Sequence, residues 1–427
     1  MLLKSLVLRN FRNYSDLELE FPGSLNLIVG DNAQGKTNLL EAIYFLSTAK
    51  SHRTRMDNEL IKHGEDWFYL KGIFESQLSS TTSIGFRSWV EISNTLLGLK
   101  RVKINGKLQQ KSSNLIGQTS VVIFSPESLA LVKGGPADRR KFLDIFISHI
   151  NPTYLRLLQN YQLALKQRNE LLKQIREKRA TGDLLVPWDR QLLEIGMKIM
   201  EMRADIITKL TCKARERHEE LTEANEQLDI VYQRSFQPRL AKQDLGLNDD
   251  APGYLNRELW FEGYNHALHE ARNLDILKGT TSIGPHRDDL IIYVNNFEAR
   301  RFSSQGQHRT LALSLKLAEI DLIISETEEL PIILLDDVAS ELDFKRATFL
   351  FNLLDTLNAQ VFVTATQLNN LCSPSLCSGS PTPLAYGSRS LSLSEAKGSP
   401  TTSVYGLNIS KCKIFEVKNG IVTVSNT

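Results

Sequence analysis

A short apolar run followed by a helical repeat of apolar positions is the clearest pattern in the chain. The run Leu25–Val29 has the composition of a buried strand and ends at Gly30. Apolar side chains then recur three and four positions apart, at Leu39, Leu40, Ile43 and Leu46. This order predicts a strand, a glycine-containing loop and a helix.

Strand-like runs occur in two further blocks. Residues 2–9 are rich in leucine, with one valine, and have the pattern of a strand. Short runs with β-branched and aromatic residues lie between about 67 and 124, where Asn105-Gly106 is a favoured hairpin turn. We expect the residues from about 67 to 124 to form an antiparallel extension of the first sheet. The second block predicts strands at 290–294, 331–335 and 359–364, and a hairpin at 413–424 turned at Asn419-Gly420.

Residues 151–223 have helical periodicity and no strand signal. They predict two helices joined through residues 181–183 and Pro187 into an antiparallel hairpin, with Arg168 breaking the first apolar series. About three heptads at 1.5 Å per residue reach about 30 Å, which is short for the arm of a chromosome-organising protein. An internal pair of core helices would share the same seam and remains an alternative. A further helix is predicted around 257–272.

Composition predicts an ordinary globular protein of two to three domains. The chain has 427 residues, of which 41% are hydrophobic and 23% charged. No apolar run approaches the roughly 18–20 residues of a membrane span, and the N-terminus lacks the pattern of a signal peptide, so we expect a cytoplasmic protein with no membrane partner. Four cysteines, three of them at positions 372, 377 and 412, predict neither a disulfide framework nor a zinc site.

Charge is unevenly distributed along the chain. Six basic and two acidic residues lie between Lys166 and Arg179, whereas the stretch from Glu319 to Asp343 has nine acidic residues and no Lys or Arg. One part of the molecule can therefore face a polyanion. The candidate contacts to such a polyanion, chosen by charge alone, are Lys50, Arg53, Arg55, Arg139 and Arg140.

The loop after the first predicted strand matches a phosphate-binding motif letter for letter. Its eight positions follow the P-loop pattern Gly-x-x-x-x-Gly-Lys-[Ser/Thr] in the strand–loop–helix setting that the motif requires. In such a loop Lys36 reaches the β- and γ-phosphate oxygens and the Thr37 hydroxyl coordinates Mg²⁺. The predicted nucleotide-binding residues here are Gly30, Asp31, Asn32, Ala33, Gln34, Gly35, Lys36 and Thr37.

Two carboxylates follow the apolar strand at 331–335, which is the form of a Walker B strand. We expect Asp336 to hold Mg²⁺ and Asp337 to orient or deprotonate the attacking water. Lys36 and Asp337 are therefore the predicted catalytic residues. Upstream, either Ser303 or Ser304 is placed to cap a helix, and a polar motif at 284–289 precedes a strand.

The order of these motifs resembles the ABC superfamily in its SMC and Rad50 branch, and more closely the RecF family of bacterial DNA replication and repair proteins. The similarity covers residues 1 to about 371 and extends to 412–427. The segments that carry it, besides the P-loop, are Leu8–Tyr14, Phe124–Glu127 with Arg139-Arg140, Gly284–Asp289, Ser304–Gln307 and Leu335–Asp343.

The resemblance implies an α/β fold, an ABC-type P-loop ATPase head with a mixed sheet and an antiparallel β extension, plus a mainly helical second lobe. The expected ATPase domain comprises residues 1–125, 280–371 and 412–427. Residues 126–279 would form the helical lobe. Residues 372–411, rich in Ser, Pro, Gly and Thr, depart from the family and predict a mostly disordered insertion, for which a tolerated surface segment is favoured over a regulatory one.

The resemblance also implies a mechanism. Two heads would sandwich two ATP molecules with Mg²⁺, each P-loop being closed by Ser304, Gly306 and Gln307 of the partner copy. The family binds single-stranded, gapped or junction DNA as an ATP-dependent homodimer, works with RecR and RecO to place RecA, supports SOS induction and hydrolyses ATP slowly.

Two departures from the wider superfamily bear on hydrolysis. Asp337 replaces the usual glutamate and is one methylene shorter, which predicts weak turnover. Val363–Thr366 offers hydroxyls and no imidazole where a switch histidine is usual, and Gln118 is only a candidate for the Q-loop residue. The alternatives are an SMC-like structural head, the ATPase subunit of a nuclease and, less favoured, a transporter motor.

Overall fold

The chain folds into two compact units. The computed structural model describes residues 1–21, 23–76, 87–237, 257–338, 342–366, 403–404, 407–408 and 412–425. The first unit comprises Met1–Ser128 with Ile323–Thr427, and the second comprises Leu129–Leu322. The predicted insertion at 372–411 lies outside the described residues, except for two short strands, and so do Ser340 and Glu341.

Strands and helices are numbered in chain order. The strands are β1 Leu2–Phe11, β2 Tyr14–Glu20, β3 Leu25–Val29, β4 Trp67–Glu75, β5 Arg87–Thr95, β6 Arg101–Ile104, β7 Lys107–Leu108, β8 Val121–Phe124, β9 Leu228–Gln233, β10 Asp289–Val294, β11 Phe297–Glu298, β12 Ile332–Leu335, β13 Val361–Ala365, β14 Ser403–Val404, β15 Leu407–Asn408, β16 Cys412–Lys418 and β17 Ile421–Ser425. The α-helices are α1 Lys36–Thr48, α2 Ala130–Lys133, α3 Pro136–Ile150, α4 Pro152–Arg176, α5 Val186–Thr222, α6 Arg257–Lys278, α7 Ala299–Phe302, α8 Gln305–Thr327 and α9 Phe344–Leu357.

One sheet of the first unit is antiparallel and has the order β2-β1-β4-β5-β6-β7. Its strands alternate buried and exposed positions, as expected of a sheet with one covered face. The hairpin predicted at Asn105-Gly106 is confirmed, since both residues have positive φ (50° and 79°) between β6 and β7.

The other large sheet of this unit has the order β17-β16-β3-β13-β12-β8 and is parallel except for β16–β17. The sequence-based assignment of Val121–Phe124 to the antiparallel extension is wrong, because β8 pairs in parallel with β12, with Phe124 beside Leu335. All four residues of β8 are buried. This continuous burial is typical of a parallel strand covered on both faces.

Helix α1 fills the core of the first unit. Its buried residues Leu39, Leu40, Ile43 and Leu46 are fully buried in one cluster with side chains from both sheets. A buried amide also connects the sheets, because Gln360 accepts the Leu3 N–H at 2.6 Å and donates to the Leu3 carbonyl at 3.0 Å. The P-loop at the start of α1 is therefore attached to a rigid support.

The second unit contains the predicted antiparallel helix pair. Helices α4 and α5 have 25 and 37 residues, about 37 and 55 Å long at 1.5 Å per residue, so the sequence underestimated their length. Both helices also pack against α6. They therefore form part of a helical core, which was the alternative interpretation of the sequence pattern. Among the described helices, none is long and apolar enough to cross a membrane.

The unit boundary differs from the predicted domain boundary. Residues 280–322 belong to the second unit, whereas the sequence placed them with the ATPase domain. The physical reason is strand pairing: β10 pairs antiparallel with β9, from Asp289 beside Gln233 to Val294 beside Leu228. The sequence showed no strand at 228–233, and without β9 the attachment of β10 could not be inferred.

Candidate functional site

The P-loop has the backbone of an anion-binding turn. It connects β3 to α1, with Asp31, Asn32 and Ala33 exposed. Ala33 and Gly35 have φ of 64° and 120°. At Gly35 a Cβ atom would lie 2.5 Å from Nδ2 of Asn13, so only glycine fits. Successive N–H groups in such a turn, ahead of a helix N-terminus, suit a phosphate.

Lys36 is held over this loop. Its Nζ donates to the carbonyl oxygens of Gly30 at 2.6 Å and Asp31 at 2.8 Å, and the residue is only 8% exposed. Burial lowers the pKa of Lys36, and the charges of Asp337, Asp336 and Asp31 oppose that shift. The loop mouth therefore has a cation surrounded by carboxylates, an arrangement that an anionic ligand with a divalent metal would complement.

Thr37 and Asp336, the two predicted metal-holding residues, are in direct contact. The Thr37 hydroxyl donates to Oδ1 of Asp336 at 2.9 Å, across 299 positions of sequence. Asp336 lies at the end of β12 and is 4% exposed; burial raises the pKa of its carboxyl, while the hydrogen bonds from Thr37 and Thr364 lower it. A hydroxyl and a carboxylate are the hard oxygen donors that suit Mg²⁺ together with phosphate oxygens. No cluster of three or more His, Cys, Asp or Glu side chains suited to a metal occurs among the described residues.

Asp337 follows in an unusual backbone conformation. It is exposed, with φ of 54°, and its N–H donates to the Thr364 hydroxyl at 2.8 Å. The structure thus brings Lys36, Thr37, Asp336 and Asp337 to one end of the parallel sheet, as the motifs predicted.

Residues 12–14, at the end of the motif Leu8–Tyr14, contact the P-loop and helix α1. The sequence did not suggest this supporting role. Asn13 donates through Nδ2 to the Gln34 carbonyl at 2.7 Å, and the Tyr14 hydroxyl donates to the Gly35 carbonyl at 2.9 Å. Arg12 forms a bidentate pair with the fully buried Glu41 of α1, with both distances 2.9 Å. The sequence shows only that short polar residues follow β1. That pattern does not reveal that they contact the P-loop.

The predicted signature residues lie in the second unit, at the start of α8. Ser304 is confirmed as the capping residue: its hydroxyl accepts the Gln307 N–H at 3.2 Å, and Gln307 Oε1 accepts the Ser304 N–H at 2.8 Å. Gln307 also donates to Glu226 at 2.8 Å, so its side chain braces this turn. Ser304 and Gly306 are exposed.

Five residues were predicted as DNA contacts, and the prediction for Arg139 is wrong. Arg139 is 5% exposed and forms a bidentate ion pair with Asp289 at 2.8 and 2.9 Å. A guanidinium held in this way is not available to a phosphate backbone. Arg140 is half-buried and donates to the Asp288 carbonyl at 2.7 Å.

The other three candidates, Lys50, Arg53 and Arg55, follow the end of α1 in the chain. Arg53 has a side chain that is 37% exposed and interacts with Glu41 at 3.4 Å and Glu127 at 3.9 Å. Lys50 and Arg55 are exposed. These two remain the more accessible candidates for DNA. Gln118 is exposed in the turn before β8, and its role as a Q-loop residue remains a prediction.

The polar motif at 284–289 is a packing centre of the second unit. Gly284 has φ of 130°, and a Cβ there would lie 2.4 Å from the Tyr161 hydroxyl. His286 Nδ1 is 2.8 Å from that hydroxyl, and Asp288 accepts the Tyr232 O–H at 2.5 Å. These contacts give the motif a structural role.

Comparison with known proteins agrees with this architecture. A family model described as the RecF/RecN/SMC N-terminal domain matches residues 2–374. The DNA replication and repair protein RecF of Natranaerobius thermophilus is 43% identical over 370 residues, which cover 87% of this chain and 92% of that protein. The protein of the same name from Bacillus cytotoxicus is 42% identical over 371 residues, covering 87% of this chain and 93% of its own.

A solved structure shows the same similarity in three dimensions. The recombination mediator protein RecF-ATP in the RecFOR pathway superposes with a TM-score of 0.78 at 33% sequence identity, covering 99% of this chain and 97% of that one. The expected fold class, an ABC-type ATPase head with mixed sheets and a helical region, is confirmed. From its sequence and its fold alike, the chain belongs to the RecF family.

Proposed function

We propose that this chain is an ATP-dependent DNA-binding protein of recombinational repair and replication. The observation that carries the proposal is the hydrogen bond between Thr37 and Asp336 at the mouth of the P-loop, with Lys36 beside it. The names of the similar proteins, DNA replication and repair protein RecF and recombination mediator protein RecF-ATP in the RecFOR pathway, support the biological setting.

ATP is the proposed ligand of the loop at 30–37. The loop N–H groups and the Lys36 ammonium bind the phosphates, and Thr37 with Asp336 holds Mg²⁺. The metal would neutralise charge on the β- and γ-phosphates. Asp337 orients or deprotonates the attacking water. Because an aspartate is shorter than the glutamate usual in the superfamily, this geometry supports slow hydrolysis.

A homodimer is the proposed active form. Ser304 and Gly306 are exposed at the N-terminus of α8, a helix of 23 residues whose terminal N–H groups favour an anion. In the dimer this turn would approach the γ-phosphate bound to the second copy, and Gln307 would hold the turn in shape. ATP then acts as a switch for dimerisation.

DNA and the RecFOR proteins are the proposed partners. Lys50 and Arg55 are exposed cations available to the phosphate backbone of single-stranded, gapped or junction DNA. Membership of the family supports action with RecR and RecO in placing RecA, a part in SOS induction and a cytoplasmic location.

Fluorescence anisotropy with a labelled gapped duplex tests the proposal. We expect ATP with Mg²⁺ to tighten DNA binding, and Lys36→Ala to abolish that effect while leaving weak nucleotide-independent binding. Lys107→Ala is the matched control, because Lys107 is exposed in the β6–β7 hairpin. Equal DNA affinity with and without ATP, at ATP concentrations shown to saturate the protein, would refute ATP-dependent DNA binding.

A further inference from the structure

Thr364, which lies outside the P-loop and the Walker B motif, forms hydrogen bonds with both Asp336 and Asp337. Thr364, in β13 and 1% exposed, donates its hydroxyl proton to Oδ1 of Asp336 at 3.0 Å. The same oxygen accepts the N–H of Asp337 at 2.8 Å. A hydroxyl has one proton to donate and two lone pairs, so both bonds can form together.

The first bond fixes the Asp336 carboxylate. Oδ1 of Asp336 accepts hydroxyl protons from Thr37 at 2.9 Å and from Thr364 at 3.0 Å. Two donors converging on one oxygen define the plane of the carboxylate and the direction of its other oxygen. A charged acceptor makes these stronger than ordinary hydrogen bonds.

The second bond fixes the backbone at Asp337. A φ of 54° lies in the left-handed region, which aspartate tolerates better than most residues but still adopts at some cost in free energy, so surrounding contacts help to hold it. The Thr364 hydroxyl supplies one such contact by accepting the N–H of this residue. The direction of the Asp337 side chain, two residues after the end of β12, therefore depends in part on Thr364.

We propose that Thr364 is a positioning residue that sets both carboxylates of the site, Asp336 for Mg²⁺ and Asp337 for water. This inference rests on the proposed ATPase function. The positioning group is the Thr364 hydroxyl, on a strand beside the one that precedes Asp336. It lies in the segment Val363–Thr366, where related ATPases usually have a switch histidine and this chain has none. In this role Thr364 acts through its hydrogen bonds to Asp336 and Asp337.

Thr364→Val tests the proposal, since valine keeps the shape and removes the hydroxyl. The first readout is the ratio of ATP dissociation constants measured in EDTA and in Mg²⁺, and the second is the rate of hydrolysis at saturating ATP. We expect Thr364→Val to reduce the Mg²⁺-dependent ratio about tenfold, the effect of losing a hydrogen bond to a charged group. ATP affinity in EDTA should change little, and Thr364→Ser should restore both readouts.

Thr119→Val is the matched control. Thr119 is also 1% exposed in the first unit, and its hydroxyl has no hydrogen-bond partner among the described residues. This variant should keep the wild-type Mg²⁺ ratio. If Thr364→Val does not fold, Thr364→Ala is measured in the same way against Thr364→Ser.

The possible outcomes distinguish failure of the positioning role of Thr364 from failure of the proposed ATPase function. A wild-type Mg²⁺ ratio and a wild-type hydrolysis rate in the folded Thr364 variant would overturn the positioning role while leaving the proposed function intact. An equal loss of ATP affinity in EDTA and in Mg²⁺ would also overturn it, because such a loss is a general structural effect. A wild-type protein that binds no ATP would overturn the proposed function and this inference together.

Discussion

The N–H of Asn419 donates to the side-chain Oε1 of Gln34 at 2.5 Å, which connects the C-terminal hairpin to the P-loop across 385 positions of sequence. The neighbouring Gly420 N–H donates to the Gln34 carbonyl at 3.2 Å. On the same side, a Cβ at Gly30 would lie 2.3 Å from the Val417 carbonyl oxygen. The hairpin β16–β17 therefore packs against one side of the P-loop, and the Gln34 side chain points towards the hairpin.

Gly420→Ala should destabilise the protein and weaken ATP binding. Gly420 has φ of 75°, and its added Cβ would lie 2.6 Å from the Asn13 carbonyl oxygen. Overpacking of this kind costs about 1–3 kcal/mol beyond the left-handed strain. Thermal unfolding and ATP titration measure the two effects.

Gly98→Ala is the control for that substitution. Gly98 has the same φ of 75°, but nothing lies within 4 Å of its added Cβ. Only the left-handed strain of about 1 kcal/mol should appear, with unchanged ATP affinity. Equal effects of the two substitutions on ATP binding would show that the hairpin contact does not support the loop.

Arg139→Ala should act on stability. Its guanidinium is buried against Asp289, and removal leaves a carboxylate without its partner, at a cost of about 3–5 kcal/mol. Chemical denaturation measures this loss. The double variant Arg139→Ala with Asp289→Ala should recover part of it, and an Arg139→Ala protein of wild-type stability but weaker DNA binding would restore Arg139 as a DNA contact.

Lys50→Ala and Arg55→Ala should act on DNA affinity. Both side chains are exposed, so each removal should leave unfolding temperature nearly unchanged. If each cation contacts a phosphate, the slope of log affinity against log salt concentration falls by about one per residue. Unchanged slopes in the double variant would exclude both residues.

Acid should destabilise the second unit through His286. Burial lowers the pKa of His286 to about 4, with Arg287 and Arg140 adding to the shift and the Thr281 carbonyl and Asp275 opposing it. Well above pH 6.5 the imidazole is neutral in both the folded and the unfolded state. Below that value the unfolded chain takes up a proton at this residue that the folded chain does not, so the contribution of His286 alone lowers stability by about 3 kcal/mol as the pH falls to about 4.

Unfolding temperature between pH 7.5 and 5 checks this dependence. His286→Gln should lower stability at pH 7.5 but show a shallower pH slope than the wild type. His63→Gln, at an exposed position, should keep the wild-type slope. Equal slopes in all three proteins would contradict a neutral buried imidazole.

Local patterns were sufficient for the nucleotide side of the site. The loop at 30–37, the strand before Asp336 and the cap at Ser303 or Ser304 each depend on neighbours within a few positions, so periodicity and turn chemistry located them, and the structure decided for Ser304. Arg168 shows the limit of such patterns. It interrupted an apolar helix series and looked like an irregularity, yet it is fully buried between Asp189 and Asp275, both 2.7 Å away.

Partners far apart in sequence account for the rest. Arg139 resembled a surface cation because Asp289, which neutralises it, lies 150 positions later. The strand β8 was placed in the wrong sheet for the same reason, since only its pairing with β12 defines it as parallel. Burial and pairing of polar groups are properties of the folded chain, and composition alone does not reveal them.

Sedimentation velocity with and without ATP and Mg²⁺ tests the central claim, that nucleotide binding drives dimerisation. We expect a monomer without nucleotide and a dimer with ATP, with Lys36→Ala remaining monomeric and Asp337→Asn forming a longer-lived dimer. Adding gapped duplex should strengthen the ATP-dependent dimer. A wild-type chain that remains monomeric at saturating ATP, both alone and on gapped DNA, would contradict the account.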